Sequence, residues 1–203
     1  MMHHNSLYLS GWCEKAGINE QKFGPMGWLR LKLEQIRMPG IDIPPHSIFV
    51  SVDLKAEDSA RVARNKEAFA KVQEGGFITL FDVTLDSYVK RGETATTRIL
   101  KGGITKFLIS KEPSAPINLC AFAGKVIQCL SDEWIEMQCS HRPGPKADPK
   151  DPWPTRSIKI YLPGGNEKIK IGHEYFMAGK IAGKSPAGKD GLIVVVSVVG
   201  TGD

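Results

Sequence analysis

The chain has 203 residues, 24% of them charged and 41% hydrophobic, with a formal net charge of +5. This composition belongs to an ordinary folded protein of one large or two small domains, and excludes disordered and collagen-like chains. The longest strongly apolar run, Leu192–Val199, is far short of the roughly 20 residues a membrane-spanning helix needs. The first residues lack the basic-then-apolar pattern of a signal peptide, so a cytoplasmic location away from membranes is expected.

With 21 Gly and 13 Pro, many turns and short strands are expected. Ser6–Trp12 is the first predicted strand, Leu7, Leu9 and Gly11 alternating with Tyr8, Ser10 and Trp12. Glu14–Gly27, with Gly17, Asn19, Gly24 and Pro25, reads as a long hairpin loop. Trp28–Ile36 alternates Leu29, Leu31 and Leu33 with Trp28, Arg30, Lys32 and Glu34, the period of a half-buried strand. Arg37–Pro45 is a Pro/Gly turn, and His46–Lys55 a third strand. Asp58–Glu74 has no Pro or Gly and a helical spacing of Ala60, Ala63, Phe69 and Val72. It predicts one main helix near 59–74, capped by Asp58 or Ser59 and stopped by Gly75-Gly76. Phe77–Val89 and Thr97–Ser110, the latter broken at Gly102-Gly103, follow as strands.

After Lys111-Glu112-Pro113 the pattern restarts. Ile117–Leu130 and Glu133–His141 are predicted strands, the second with Trp134, Glu136 and Gln138 opposite Ile135, Met137 and Cys139. Arg142–Arg156 holds five prolines and is a loop. Ser157–Leu162, Tyr175–Ala182 and Leu192–Val199 complete the second half. Each half thus offers about five short strands, which suits a small closed barrel without exposed edges. The expected fold class is all-β with one main helix: two tandem five-stranded barrels of the oligonucleotide-binding type, at 1–113 and 114–203. A single generic sandwich is the competing architecture.

Several signals carry no chemistry. The four cysteines, at 13, 120, 129 and 139, show no C-x-x-C spacing and read as reduced thiols. Cys139 and His141 are two ligands without a second pair, so no metal and no cofactor are expected. Ala178–Ser185 matches a loose phosphate-loop pattern. Pro186, Gly188 and a Val-rich strand follow it, where the phosphate site needs a helix. No nucleophile–base arrangement of a hydrolase is present, and a non-enzymatic protein is expected.

Residues 5–110 resemble the bacterial and phage single-stranded DNA-binding proteins. The resemblance lies in Asn5-Ser6-Leu7-Tyr8-Leu9-Ser10-Gly11-Trp12, in the alternating strand from Trp28, and in Ala68–Ile78, where a short helix ends in glycine before the fourth strand. Residues 116–200 look like a plainer barrel of the same class, through Ala123-Gly124-Lys125-Val126, Met177-Ala178-Gly179-Lys180-Ile181 and the closing Val-rich strand. The family's Gly/Pro-rich tail and acidic tip have no counterpart after Thr201-Gly202-Asp203, so partner recruitment through such a tip is not expected.

Single-strand binding needs cations that track phosphates and rings on which bases stack. Tyr8, Trp12, Trp28, Trp134 and Tyr161 stand on the polar faces of their strands, and Trp153 lies in the proline-rich loop. Arg30, Lys32, Arg142 and Lys159 are the candidate phosphate contacts. Each ring has rim or core packing as its alternative, because twisted strands bury both faces in places. The function expected is coating of single-stranded DNA in replication or recombination, in a bacterium or from a phage or mobile element. RNA is an allowed ligand and a homodimer an allowed state. The alternatives are an assembly protein that uses its barrels for protein contacts, and an enzyme with a dispersed site.

Overall fold

The computed structural model describes residues 4–22, 24–89, 96–110, 112–113, 115–140, 155–184 and 190–201. The first strand, β1 (His4–Gln21), runs through much of the segment expected to be a loop, and β2 (Gly24–Leu33) begins almost at once. A bulge between Cys13 and Lys15 lets the ladder continue, so that Ala16 faces Leu29 and Gly17 faces Trp28. Glycine and asparagine misled the sequence reading here: Gly17 sits in a strand because a ring occupies the space above it. The expected turn 37–45 is also more ordered. It forms a small hairpin of β3 (Ile36–Met38) and β4 (Ile41–Ile43), with Gly40 at φ 76° closing it.

The strand β5 (His46–Asp53) pairs antiparallel with β2. Helix α1 (Ser59–Ala70) starts where Asp58 accepts a hydrogen bond from the Arg61 amide at 2.6 Å, the geometry that satisfies an orphan donor at a helix start. It is shorter than the expected 59–74, and Gly75 at φ 78° turns the chain into β6 (Phe77–Val89). The helix buries Phe69 alone of its side chains. That ring plugs the barrel over Gly27, where a Cβ would stand 2.9 Å from it. Strands β7 (Thr96–Gly103) and β8 (Phe107–Ser110) are separated by a single 3-10 turn, as the double glycine had suggested.

Five strands close on themselves in the order β1-β2-β5-β7-β6 and back to β1, with β5 and β7 parallel. The second half repeats this order with β9 (Asn118–Ser131), β10 (Trp134–Ser140), β11 (Thr155–Tyr161), β12 (Glu174–Lys184) and β13 (Asp190–Thr201). Its ring is β9-β10-β11-β13-β12, closing onto β9, with β11 and β13 parallel. This is the oligonucleotide-binding barrel order, twice. A turn segment, 162–173, takes the place of the helix, and its half-buried Ile169 packs on the core.

Two equivalent positions expose the duplication at atomic level. Asn5, near the start of β1, makes a double hydrogen bond to the Leu85 backbone, 2.9 Å each way. Asn118, which opens β9, does the same to Ile181, 3.0 Å each way. Each side chain extends the ladder of the fourth strand of its ring. Six positions later stand Gly11 and Gly124. A Cβ at either would collide with a second-strand carbonyl, Lys32 or Gln138. The segments 5–11 and 118–124 are therefore one motif, Asn-x5-Gly, occurring twice.

The rings are joined edge to edge. Residues 4–9 of β1 pair antiparallel with 118–123 of β9. The buried apolar cluster runs without a break from Leu7, Leu29 and Val50 to Phe122, Met137 and Val194. A second, smaller cluster forms where the β3–β4 hairpin reaches across: Ile36, Ile41 and Ile43 pack on Tyr161, Ile193 and Val195. An ionic link accompanies it, with Asp86 of β6 accepting from Arg156 of β11 at 2.9 Å and from Lys101 of β7.

Candidate nucleic-acid interface

Alternation in β2 decides what faces outward. Leu29, Leu31 and Leu33 are buried in the first barrel, each burial stabilising by about 1.5–3 kcal/mol. The period of two then puts Trp28, Arg30 and Lys32 on the outer face, where Arg30 and Lys32 are exposed and Trp28 half-buried. The neighbouring strands extend this face. Lys15 lies opposite Arg30 on β1, and Phe49 opposite it on β5.

Phe49 is the residue that sequence reasoning missed. It is 50% exposed and stacks on Trp28, with ring centroids 5.9 Å apart and planes 15° from parallel. Its signal was its position: it alternates against Ile48 and Val50, as Trp28 does against the leucines. The pair lines a cleft of about 490 Å³ with Asn19, Ser51, Lys55 and Lys101 around it. Lys15, Lys32 and Lys55 have no ion-pair partner among the described residues. Arg30 is engaged by Glu14 at 3.0 Å, and Glu14 also accepts from Ser47.

Trp12 lies further along the same face, opposite Lys32 in register. Phe77 meets it edge-on at 5.3 Å and 84°, and 41% of the tryptophan stays exposed. Trp28 and Lys32 are four residues apart on β2, so the two tryptophans mark stations separated by about 13 Å of strand.

The other expected site residues do not gather here. Tyr8 is exposed but sits at the junction of the barrels, opposite Leu119 of β9. Lys159 is exposed on β11, opposite Glu136. Tyr161, expected on a binding face, is instead buried to 7% exposure. The β3–β4 hairpin covers it, and Trp134 packs on its ring at 5.0 Å. Burial and the adjacent Glu133 carboxylate raise its phenol above the ordinary range. The physical reason for the correction is tertiary: a hairpin from the first barrel occupies a face that alternation in β11 marks as outward. Arg142 and Trp153 lie outside the described residues.

Cys13, Cys120 and Cys139 are buried free thiols, and Cys139 is pushed up to about 12 by its burial. Among the described residues no cluster of His, Cys, Asp or Glu is placed to hold a metal ion, and no helix is long and apolar enough to cross a membrane.

The tandem rings, the helix between third and fourth strands, and an aromatic, cation-lined outer face define an oligonucleotide-binding-type barrel protein. The comparisons agree on the fold. The single-stranded DNA-binding protein from Thermus aquaticus superimposes with a TM-score of 0.63, covering 100% of this chain and 95% of that one at 10% sequence identity. A deletion variant of that protein gives a TM-score of 0.62, with 97% and 93% coverage at 10% identity. No protein-family model matches the sequence. No curated protein matches it either.

Proposed function

We propose that this protein binds single-stranded DNA non-enzymatically along the outer face of its first barrel, coating the strand during replication or recombination. The observation that carries the reading is the Trp28–Phe49 stack, exposed on a face that also presents Lys15, Lys32 and Lys55. Rings accept any base and cations accept any phosphate, so the binding is largely sequence-tolerant and weakens with salt. The fold shared with the Thermus aquaticus protein supports the same reading. In it the two barrels, 1–113 and 114–203, serve one strand of nucleic acid. Lys159 and the loop residues Arg142 and Trp153 extend the path over the second barrel. The setting this reading assigns is the cytoplasm of a bacterium or of a phage-infected cell.

A second reading rests on the junction. Tyr8 (43% exposed), Leu119 (58%) and Phe81 (40%) form an apolar surface suited to a protein contact, including a homodimer. The test of the principal reading is titration of tryptophan fluorescence with oligo-dT, oligo-rU and duplex DNA. Tight binding of oligo-dT with weak binding of duplex is expected. Equal affinity for duplex, or no binding of any of the three, refutes it and favours the assembly role.

A further inference from the structure

We infer that the cleft beside Trp12 is a base-reading station, one that favours a nucleobase presenting N–H donors, guanine foremost, over thymine or uracil. The inference rests on the reading of this face as a single-strand binder, and it assigns to one end of the face a chemistry the other end lacks.

The Trp12 cleft encloses about 640 Å³, ample for one base. Trp12 forms a wall, fixed by the edge of Phe77 yet 41% exposed. The ionic lining of the two clefts differs in sign. Around Trp28 the charged residues, among those described, are Lys55 and Lys101. Around Trp12 they are, among the described residues, Glu14, Glu34 and Lys32. Glu14 is already engaged by Arg30 and Ser47. Glu34, in the short link after β2, is exposed and has no hydrogen-bond or ion-pair partner among the described residues.

With Glu14 held by Arg30 and Ser47, Glu34 is the carboxylate left free to meet a base edge, and Lys32 beside it is the group that takes a phosphate. An ionised carboxylate only accepts hydrogen bonds. Guanine carries an imino N–H and an amino group side by side, which match the two carboxylate oxygens. Cytosine and adenine offer one amino group. Thymine offers a single N–H flanked by two carbonyl oxygens, which face the carboxylate unfavourably. Lys32, opposite Trp12 across the β1–β2 ladder, meets the phosphate that links this base to the next one toward Trp28. The result is a sequence-tolerant platform at Trp28 and a selective one about 13 Å along the strand.

The experiment compares oligo-dT with an alternating dT/dG oligonucleotide of the same length, using the full chain at fixed salt and fluorescence anisotropy of a labelled strand. The alternating strand is expected to bind about tenfold tighter, the lower range of discrimination for a well-made base contact. Glu34→Gln removes most of that preference, because guanine loses its charged acceptor while oligo-dT, no longer facing a carboxylate, binds as well or better. The thermal midpoint stays unchanged, since Glu34 is exposed. Trp12→Phe, which keeps a ring against Phe77, retains it. Equal affinity of the unaltered protein for both strands, or a preference that survives Glu34→Gln, overturns this inference and leaves single-strand binding standing. Failure to bind either strand overturns both.

Discussion

Gly17 of β1 lies directly beneath the indole of Trp28 on β2: a Cβ at Gly17 would stand 2.8 Å from Cζ2 and 2.9 Å from Cε2 and Nε1. The glycine is what lets the ring lie across the strand and stack on Phe49. Gly17→Val therefore pushes the indole out of that position. Oligo-dT affinity is expected to fall about fivefold or more, the lower end of the value of one stacked base. Circular dichroism should show an intact fold, because the ring moves in an outer cleft and the β1 backbone keeps its pairing.

The free cations predict the salt response. For single strands the slope of log affinity against log salt is about −0.7 per phosphate neutralised. Lys15→Gln, Lys32→Gln and Lys55→Gln should each flatten it by about 0.7. Arg30→Gln should do less, since Glu14 already holds that guanidinium. Titrations at several salt concentrations measure this, and slopes identical to the unaltered protein would remove these lysines from the interface.

The repeated asparagines predict a stability effect in both barrels. Asn118→Ala leaves the Ile181 N–H and C=O without their partners, and Asn5→Ala does the same to Leu85. Each part-buried group left unpaired costs about 1–3 kcal/mol. Urea unfolding should show a loss of about 2 kcal/mol or more for either variant. A loss under about 0.5 kcal/mol, the usual scatter of surface changes, would mean water replaces the side chain at no cost.

Much of this architecture was legible in the residues, and the failures have identifiable causes. Alternation located the leucine face of β2, and the absence of Pro and Gly located α1, because both signals are local. Asn5-x5-Gly11 and Asn118-x5-Gly124 were also present in the sequence. Their spacing acquires meaning only when the side chain is seen to reach the fourth strand, some 60 to 80 residues away. The strand at 14–21 was hidden by Gly17 and Asn19, which read as turn residues when the ring above them is not known. Tyr161 and Trp134 had the right period for a binding face, but periodicity reports which side of a strand faces outward and not what another element places there. Phe49 was readable by the rule that selected Trp28. The Trp12 cleft was not, since it takes β1, β2 and the link after β2 together.

His46 predicts a pH dependence. It is 5% exposed at the junction, with its Nδ1 3.1 Å from the Pro44 carbonyl. Burial lowers its pKa below the ordinary value near 6.5, outweighing the Pro44 and Ile181 carbonyls, and Lys184 acts in the same direction as burial. The unfolded chain thus takes up this proton at a higher pH than the folded one. The stability that neutral His46 contributes is complete above about pH 6.5 and is lost as pH falls from there toward the folded value. The thermal midpoint should drop between about pH 7.5 and 5.5, and His46→Gln should shrink that drop. An undiminished drop in the variant would assign it to other groups.

The most direct test of the central claim is the oligo-dT affinity of Trp28→Ala, measured beside its thermal midpoint on the same sample. Loss of one stacked base should weaken binding by about 1–3 kcal/mol, roughly five- to a hundredfold. The midpoint should move little, because the ring is half-buried in an outer cleft and fills no part of the barrel core. An affinity per folded molecule equal to that of the unaltered protein would contradict the account, since the Trp28–Phe49 stack would then be packing on the outside of the barrel and nothing more.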